Sequence, residues 1–222
     1  MKRILIVAPH PDDETLGCGG TILKHKMDGD YVCWLIITNI STEDGYDSKT
    51  VETRQKEIQH VGEQYEFNEL FKLDLPTTKL DMLPRSEMIR KVSVIIDQLK
   101  PEIVYVPNSS DVHTDHKITF DVMISALKSF RCPFVKKALM YEVVSETEFS
   151  PAIAGNSFVP NSFSDISSFI EQKISIMGIY RGEMLEPPFP RSADNLKALA
   201  IFRGATAGVK YAEAFVLLKE IW

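Results

Sequence analysis

The sequence predicts a three-layer α/β fold: a mostly parallel, twisted sheet with helices on both faces. Short apolar runs recur along the chain, as in strands buried on both sides. Segments with helical spacing alternate with them. The connections are mostly short, and right-handed crossovers then make 3-2-1-4-5 the natural strand order. With 222 residues, 44% of them hydrophobic, the chain suits one sizeable core, and residues 1–222 are read as a single domain.

The elements follow in order. "RILIVA" (3–8) is the first buried strand, and residues 14–28 form a helix that ends near Asp28-Gly29. "YVCWLIIT" (31–38) is the second strand, followed by a polar loop over 39–49. Residues 51–65 carry helical spacing through Val51, Ile58 and Val61, and "NELFKL" (68–73) is the third strand. After a loop with prolines near both ends (74–84), Ser86 is a candidate N-cap for a helix over 86–100, which Pro101 stops. "EIVYVP" (102–107) is the fourth strand, 114–128 a helix and 136–144 the fifth strand. A long loop runs to about 163, one or two helices lie between 164 and 208, and 212–218 is a final strand or helix.

Bulk properties exclude several classes. The formal net charge is −6 and no basic stripe occurs, so the footprint of a nucleic-acid binder is missing. No apolar run approaches the ~18 residues of a membrane span, and the N-terminal run is too short for a signal sequence. Cys18, Cys33 and Cys132 are few and widely spaced. That pattern suits a reducing compartment, and the chain reads as cytoplasmic.

In a doubly wound sheet, ligands bind beyond the C-terminal strand ends where the strand order reverses. Here that crevice lies between strands 1 and 4. The two most unusual polar clusters follow these strands: "HPDDE" (10–14) and "HTDH" (113–116). The candidates are His10, Asp12, Asp13, Glu14, His113, Asp115 and His116. An acidic triplet alone suits a helix N-terminus, and a lone His-x-x-His is often surface chemistry. Both clusters at adjacent strand ends point to a divalent metal, which offsets repulsion among neighbouring carboxylates. "LGCGGT" is a poor nucleotide loop because Ile22 stands where a third glycine belongs. Its glycines suit close packing of helix on strand, and Cys18 a small buried residue.

"APHPDDETLGCGGTI" with "DVHTDH" resembles the LmbE-like, or PIG-L, family of zinc-dependent N-deacetylases. "TRQKE" (53–57) and "RGATAGVKYAEAF" (203–215) extend the similarity over nearly the whole chain. The resemblance implies a Rossmann-like fold and hydrolysis of the acetyl group from an N-acetylglucosamine-type sugar, free or conjugated. It implies that His10, Asp13 and His116 hold Zn²⁺, with Fe²⁺ as an alternative ion. Asp12 matches the general base. His113 matches a residue that, protonated, stabilises the oxyanion, and Asp115 one that orients His113. Arg54 matches a sugar contact. Asp111 stands where some members carry Tyr, and is either a loop cap or a substrate contact. "LPTTKLD" (75–81) departs from the acidic "LPD"-like stretch of related sugar deacetylases, which bears on substrate identity. Some relatives assemble, so a homo-oligomer is compatible. Two alternatives stay open: an amidase acting on another acylated amine or nucleotide-linked sugar, and a non-catalytic metal-binding module.

Overall fold

A computed structural model describes residues 1–222. Strands β1 (Arg3–Ala8), β2 (Tyr31–Asn39), β3 (Glu69–Pro76), β4 (Ile103–Pro107), β5 (Lys137–Tyr141), β6 (Ser162–Asp165) and β7 (Ala212–Glu220) form one sheet, ordered β3-β2-β1-β4-β5-β7-β6. Its first five positions keep the expected order, all in parallel pairs. The structure extends the sheet beyond the expectation. β7 pairs antiparallel with β5, and β6 pairs antiparallel with β7. Segment 212–220 is therefore a strand, and β6 is an element the sequence does not announce. "SFSD" has no apolar run and no fully buried residue, so nothing in its pattern marks a strand.

The helices are α1 (Asp13–Met27), α2 (Ser48–Tyr65), α3 (Arg85–Leu99), α4 (Thr114–Ala126), α5 (Ile170–Met177) and α6 (Ala193–Ala207). None is long and apolar enough to cross a membrane. α2 starts earlier than its apolar spacing suggests, because Asp47 caps it by accepting from the Thr50 N–H at 2.9 Å.

The sheet separates two cores. Ile4, Ile6 and Ala8 of β1 enter one, with Trp34, Tyr65 and Tyr141; Leu5 and Val7 enter the other, with Met88, Val92 and Ile96. Alternation along a strand dictates that split. α1 is buried over its first eleven residues, Asp13 to Leu23, so it needs a thin face. Gly17 provides it: a Cβ there would lie 2.2 Å from Tyr141 Cδ2. Tyr141 is itself fixed, since its hydroxyl donates to the Val7 carbonyl at 2.6 Å. Glu213 of β7 then pins the middle of α1. It accepts from the Gly20 and Thr21 N–H groups, both at 2.8 Å, and pairs with buried Lys173 at 2.7 Å.

Candidate metal centre and pocket

The two clusters sit on the loops that leave β1 and β4, which pair in parallel through Ile4–Ile103, Leu5–Val104 and Ile6–Tyr105. Pairing of these strands brings together side chains about a hundred positions apart. His10 Nδ1 lies 3.3 Å from Asp13 Oδ2, His116 Nε2 lies 3.2 Å from the same oxygen, and the two nitrogens are 3.3 Å apart. Ligands at ~2.0–2.1 Å from a tetrahedral zinc are separated by about 3.3 Å. The donor set of two imidazoles and one carboxylate, with these edges, therefore fits a divalent metal.

The ring nitrogens turned away from that triangle are held by buried carboxylates. His116 Nδ1 pairs with Asp111 Oδ2 at 2.8 Å, and His10 Nε2 with Asp115 Oδ2 at 3.1 Å. Such partners select the tautomer that leaves the inward nitrogen as a lone pair. They also concentrate negative charge. Burial opposes protonation of His10, but Asp115 and Asp13 outweigh it and raise its pKa to about 9. Burial likewise opposes ionisation of Asp13, yet the His116 charge and bonds from both imidazoles hold its carboxyl well below the usual range. The cluster draws in positive charge, as protons or as a cation.

A second grouping, His10, His113 and Asp115, has similar spacing. It is satisfied internally. Asp115 accepts from the Thr78 N–H at 2.7 Å and the Leu80 N–H at 3.4 Å, and its own N–H donates to His113 Nδ1 at 3.1 Å.

These contacts change two expected roles. Asp111 is a candidate substrate contact by sequence, but it is fully buried. Besides His116, it accepts from Asn108 Nδ2 at 2.8 Å and Thr147 Oγ1 at 2.6 Å. Asp115 is expected to orient His113. The carboxylate instead serves His10, and only the Asp115 backbone N–H reaches His113. Because His113 Nδ1 accepts that bond, its proton belongs on Nε2. Burial, with His10 and His116 nearby, lowers the His113 pKa to about 4. That shift favours the neutral imidazole, whereas the resemblance implies the imidazolium.

Asp12 caps α1 with φ 135°, a backbone conformation strained for any residue with a side chain. The strain is held in place: Glu14 Oε2 accepts the Asp12 N–H at 3.0 Å, and Tyr180 donates to Glu14 Oε1 at 2.7 Å. Glu14 is fully buried and supports this turn. The Asp12 carboxylate lines a pocket of about 410 Å³ with His10, Asp13, His113 and His116. Burial and the neighbouring Asp13 charge raise its pKa.

Arg54 reaches the same pocket. It donates to the Pro11 carbonyl at 3.2 Å and pairs with Glu183 at 2.5 Å. Two lining residues, Glu183 and Arg191, are not marked by the sequence pattern. Arg191 Nη1 lies 3.1 Å from both Asp12 Oδ2 and Glu183 Oε2, so a chain of charges runs Arg54–Glu183–Arg191–Asp12. Arg191 lies in an irregular, proline-rich stretch, "EPPFPR", whose charged residues are the only signal.

Residues 5–127 match the family described as PIG-L: GlcNAc-PI de-N-acetylase. The chain belongs to this family. Among curated relatives of this PIG-L chain, the diacetylchitobiose deacetylase of Thermococcus kodakarensis is 26% identical over 230 residues, covering 100% of the chain and 85% of the relative. A probable N-acetyl-alpha-D-glucosaminyl L-malate deacetylase 2 of Bacillus cereus is 25% identical over 191 residues, covering 82% of the chain and 84% of the relative. The conserved protein TT1542 of Thermus thermophilus superposes with a TM-score of 0.80 at 28% identity, covering 100% of the chain and 97% of that structure. The N,N'-diacetylchitobiose deacetylase of Pyrococcus horikoshii shares the fold, with a TM-score of 0.77 at 23% identity over 98% of the chain and 84% of that structure.

Proposed function

We propose that this PIG-L chain is a zinc-dependent hydrolase that removes the acetyl group from an N-acetylglucosamine-type sugar, free or conjugated, and releases acetate. The observation that carries the reading is the 3.2–3.3 Å triangle of His10, Asp13 and His116 opening on a pocket that also holds Asp12 and His113. Family membership and the names of its relatives support the same substrate class.

His10 Nδ1, Asp13 Oδ2 and His116 Nε2 would hold the ion. A divalent cation bound there would acidify a water and polarise the acetyl carbonyl. Asp12 is the general base. Its Oδ2 is tied to Arg191, while Oδ1 makes no hydrogen bond within the protein and is free to take the proton of the attacking water. As the carbonyl carbon becomes tetrahedral, its oxygen gains negative charge. The His113 Nε2–H donates to it, a contribution of about 3 kcal/mol for one well-placed donor. The base then returns its proton to the departing nitrogen, so water and amide become acetate and amine. Arg54, through its place on the pocket wall, contacts the sugar.

Neither Asp12 nor His113 is needed to hold an ion, and their presence disfavours a non-catalytic metal-binding module. The test is acetate release from free, nucleotide-linked and lipid-linked N-acetyl sugars, using metal-stripped protein with and without added Zn²⁺ or Fe²⁺. Release from at least one sugar, restored by Zn²⁺, is the expected result. A protein that binds one equivalent of zinc yet releases no acetate from any of them overturns the reading.

A further inference from the structure

A second cavity, of about 390 Å³, adjoins the catalytic pocket. The two touch the same segment, 142–148. Ser145 and Glu146 line the catalytic pocket; Glu142, Val144, Thr147 and Glu148 line the other; Val143 is shared. The segment is therefore the wall between them. Ser150 lines the second cavity, is only 8% exposed, and its Oγ has no hydrogen-bond partner. A buried hydroxyl left unpaired is costly and calls for a ligand or water. The half-buried Asn156 side-chain amide makes no bond within the protein, and exposed Asn195 spends only its Nδ2, on the Pro190 carbonyl. One buried unpaired hydroxyl and two solvent-reachable amides thus border one space.

The charge pattern narrows the ligand. Arg203 looks like an anion site, but Glu142 takes up its guanidinium in two bonds of 2.8 and 2.7 Å. Glu148 adds a negative charge, so an anionic ligand meets repulsion. What remains is hydroxyl and amide chemistry beside the apolar surfaces of Phe158 and Leu199. That mixture suits a molecule with hydroxyls at its edge and C–H groups on its faces. The volume is at the lower end of small-molecule sites, which suits one ring.

We propose that this cavity is a second carbohydrate site, taking one neutral hexose unit, and that Thr147 links its occupancy to the metal centre. Thr147 lines the cavity and donates to Asp111 Oδ1 at 2.6 Å, while Asp111 Oδ2 holds His116 Nδ1 at 2.8 Å. A ligand that displaces Thr147 moves the carboxylate that orients a candidate metal ligand. The site goes beyond the deacetylase reading, because apart from Val143 and Thr147 its lining is separate from the catalytic pocket and the metal centre.

The probe is D-glucose, which has no acetyl group to lose, titrated into the zinc-loaded protein by calorimetry. One-to-one binding with a Kd near ~1 mM is expected, weakened at least about tenfold in Leu199→Trp, which fills the cavity. Asn156→Leu, a milder change, weakens it too; both variants keep their zinc content and melting temperature. No saturation by roughly 100 mM glucose overturns the site. So does binding that survives Leu199→Trp and disappears in Thr50→Trp, which blocks the catalytic pocket instead. In cobalt-loaded protein, glucose shifts the visible band of wild type but not of Thr147→Val. An unmoved wild-type band at saturating glucose overturns the link. Calorimetry does not depend on acetate release, so this site and the deacetylase reading fail separately.

Discussion

Asp111→Asn tests the supporting shell of the metal centre. The carboxylate is fully buried and accepts three bonds, from His116, Asn108 and Thr147. An amide of the same shape has one oxygen, which can keep Asn108 and Thr147. Its NH₂ then faces His116 Nδ1, where a donor now stands. Two donors cannot share a hydrogen, so His116 must move its proton to Nε2, the nitrogen that faces Asp13 and His10. A protonated nitrogen is no ligand. Replacing such partners weakens metal binding by about 10–100-fold, or roughly 1.4–2.7 kcal/mol. The upper part of that range is expected, because full burial leaves bulk water no place to compensate. The assay is competition for Zn²⁺ against a chromophoric chelator at pH 7.5. Wild-type affinity in Asp111→Asn would refute the tautomer argument. Unchanged affinity with a raised KM for substrate would return Asp111 to the role of a substrate contact.

Three further outcomes are expected. Burial raises the Glu14 pKa from 4.5 to about 7. The folded protein then binds more protons than the unfolded one in that window, so stability falls as pH rises through it, by about 3 kcal/mol. In metal-free protein, Glu14→Gln therefore gains on wild type between pH 4.5 and 8 in urea unfolding; a difference that does not vary with pH counts against a buried, titrating Glu14. Gly17→Ala, which in an open helix would stabilise by ~1 kcal/mol, should instead lower stability by about 3 kcal/mol through overlap with Tyr141. Thermal unfolding reads the sign directly. Asp12→Asn should keep one equivalent of zinc while kcat falls by about 10²–10⁴, whereas His116→Ala loses both metal and turnover; wild-type turnover in Asp12→Asn would remove the base from the mechanism.

The parallel half of this molecule is readable because its signals are local and repeated. β1, β2 and β4 are continuous apolar runs, and their order follows from short right-handed crossovers. Strand ends then bring "HPDDE" and "HTDH" together with no contact known in advance. Side-chain direction is not readable in the same way. Asp115 stands between His113 and His116 in sequence, yet its carboxylate turns to His10, because the Thr78 and Leu80 N–H groups hold it there. Those donors come from a loop whose sequence signals only a departure from related enzymes. Asp111, readable as a cap or a contact, lies beneath His116 because Thr147 and Asn108 complete its shell. β6 and Arg191 carry no periodic pattern at all. Their positions depend on partners far along the chain, Phe215 to Ala212 for β6 and Asp12 for Arg191.

Parallel pairing of β1 with β4 also has a temporal consequence. As the chain is synthesised, His10 and Asp13 appear early, but the third donor waits for residue 116. Thr147, which steadies that donor's carboxylate partner, comes only after the next strand. Two donors on a mobile segment bind an ion weakly. On the proposed reading of the centre as a metal site, loading is a late event that follows sheet closure, and ions that bind the native state but not the open chain favour folding by mass action. Chelation should accordingly speed global unfolding, and the metal becomes a reporter of whether the centre of the sheet has closed.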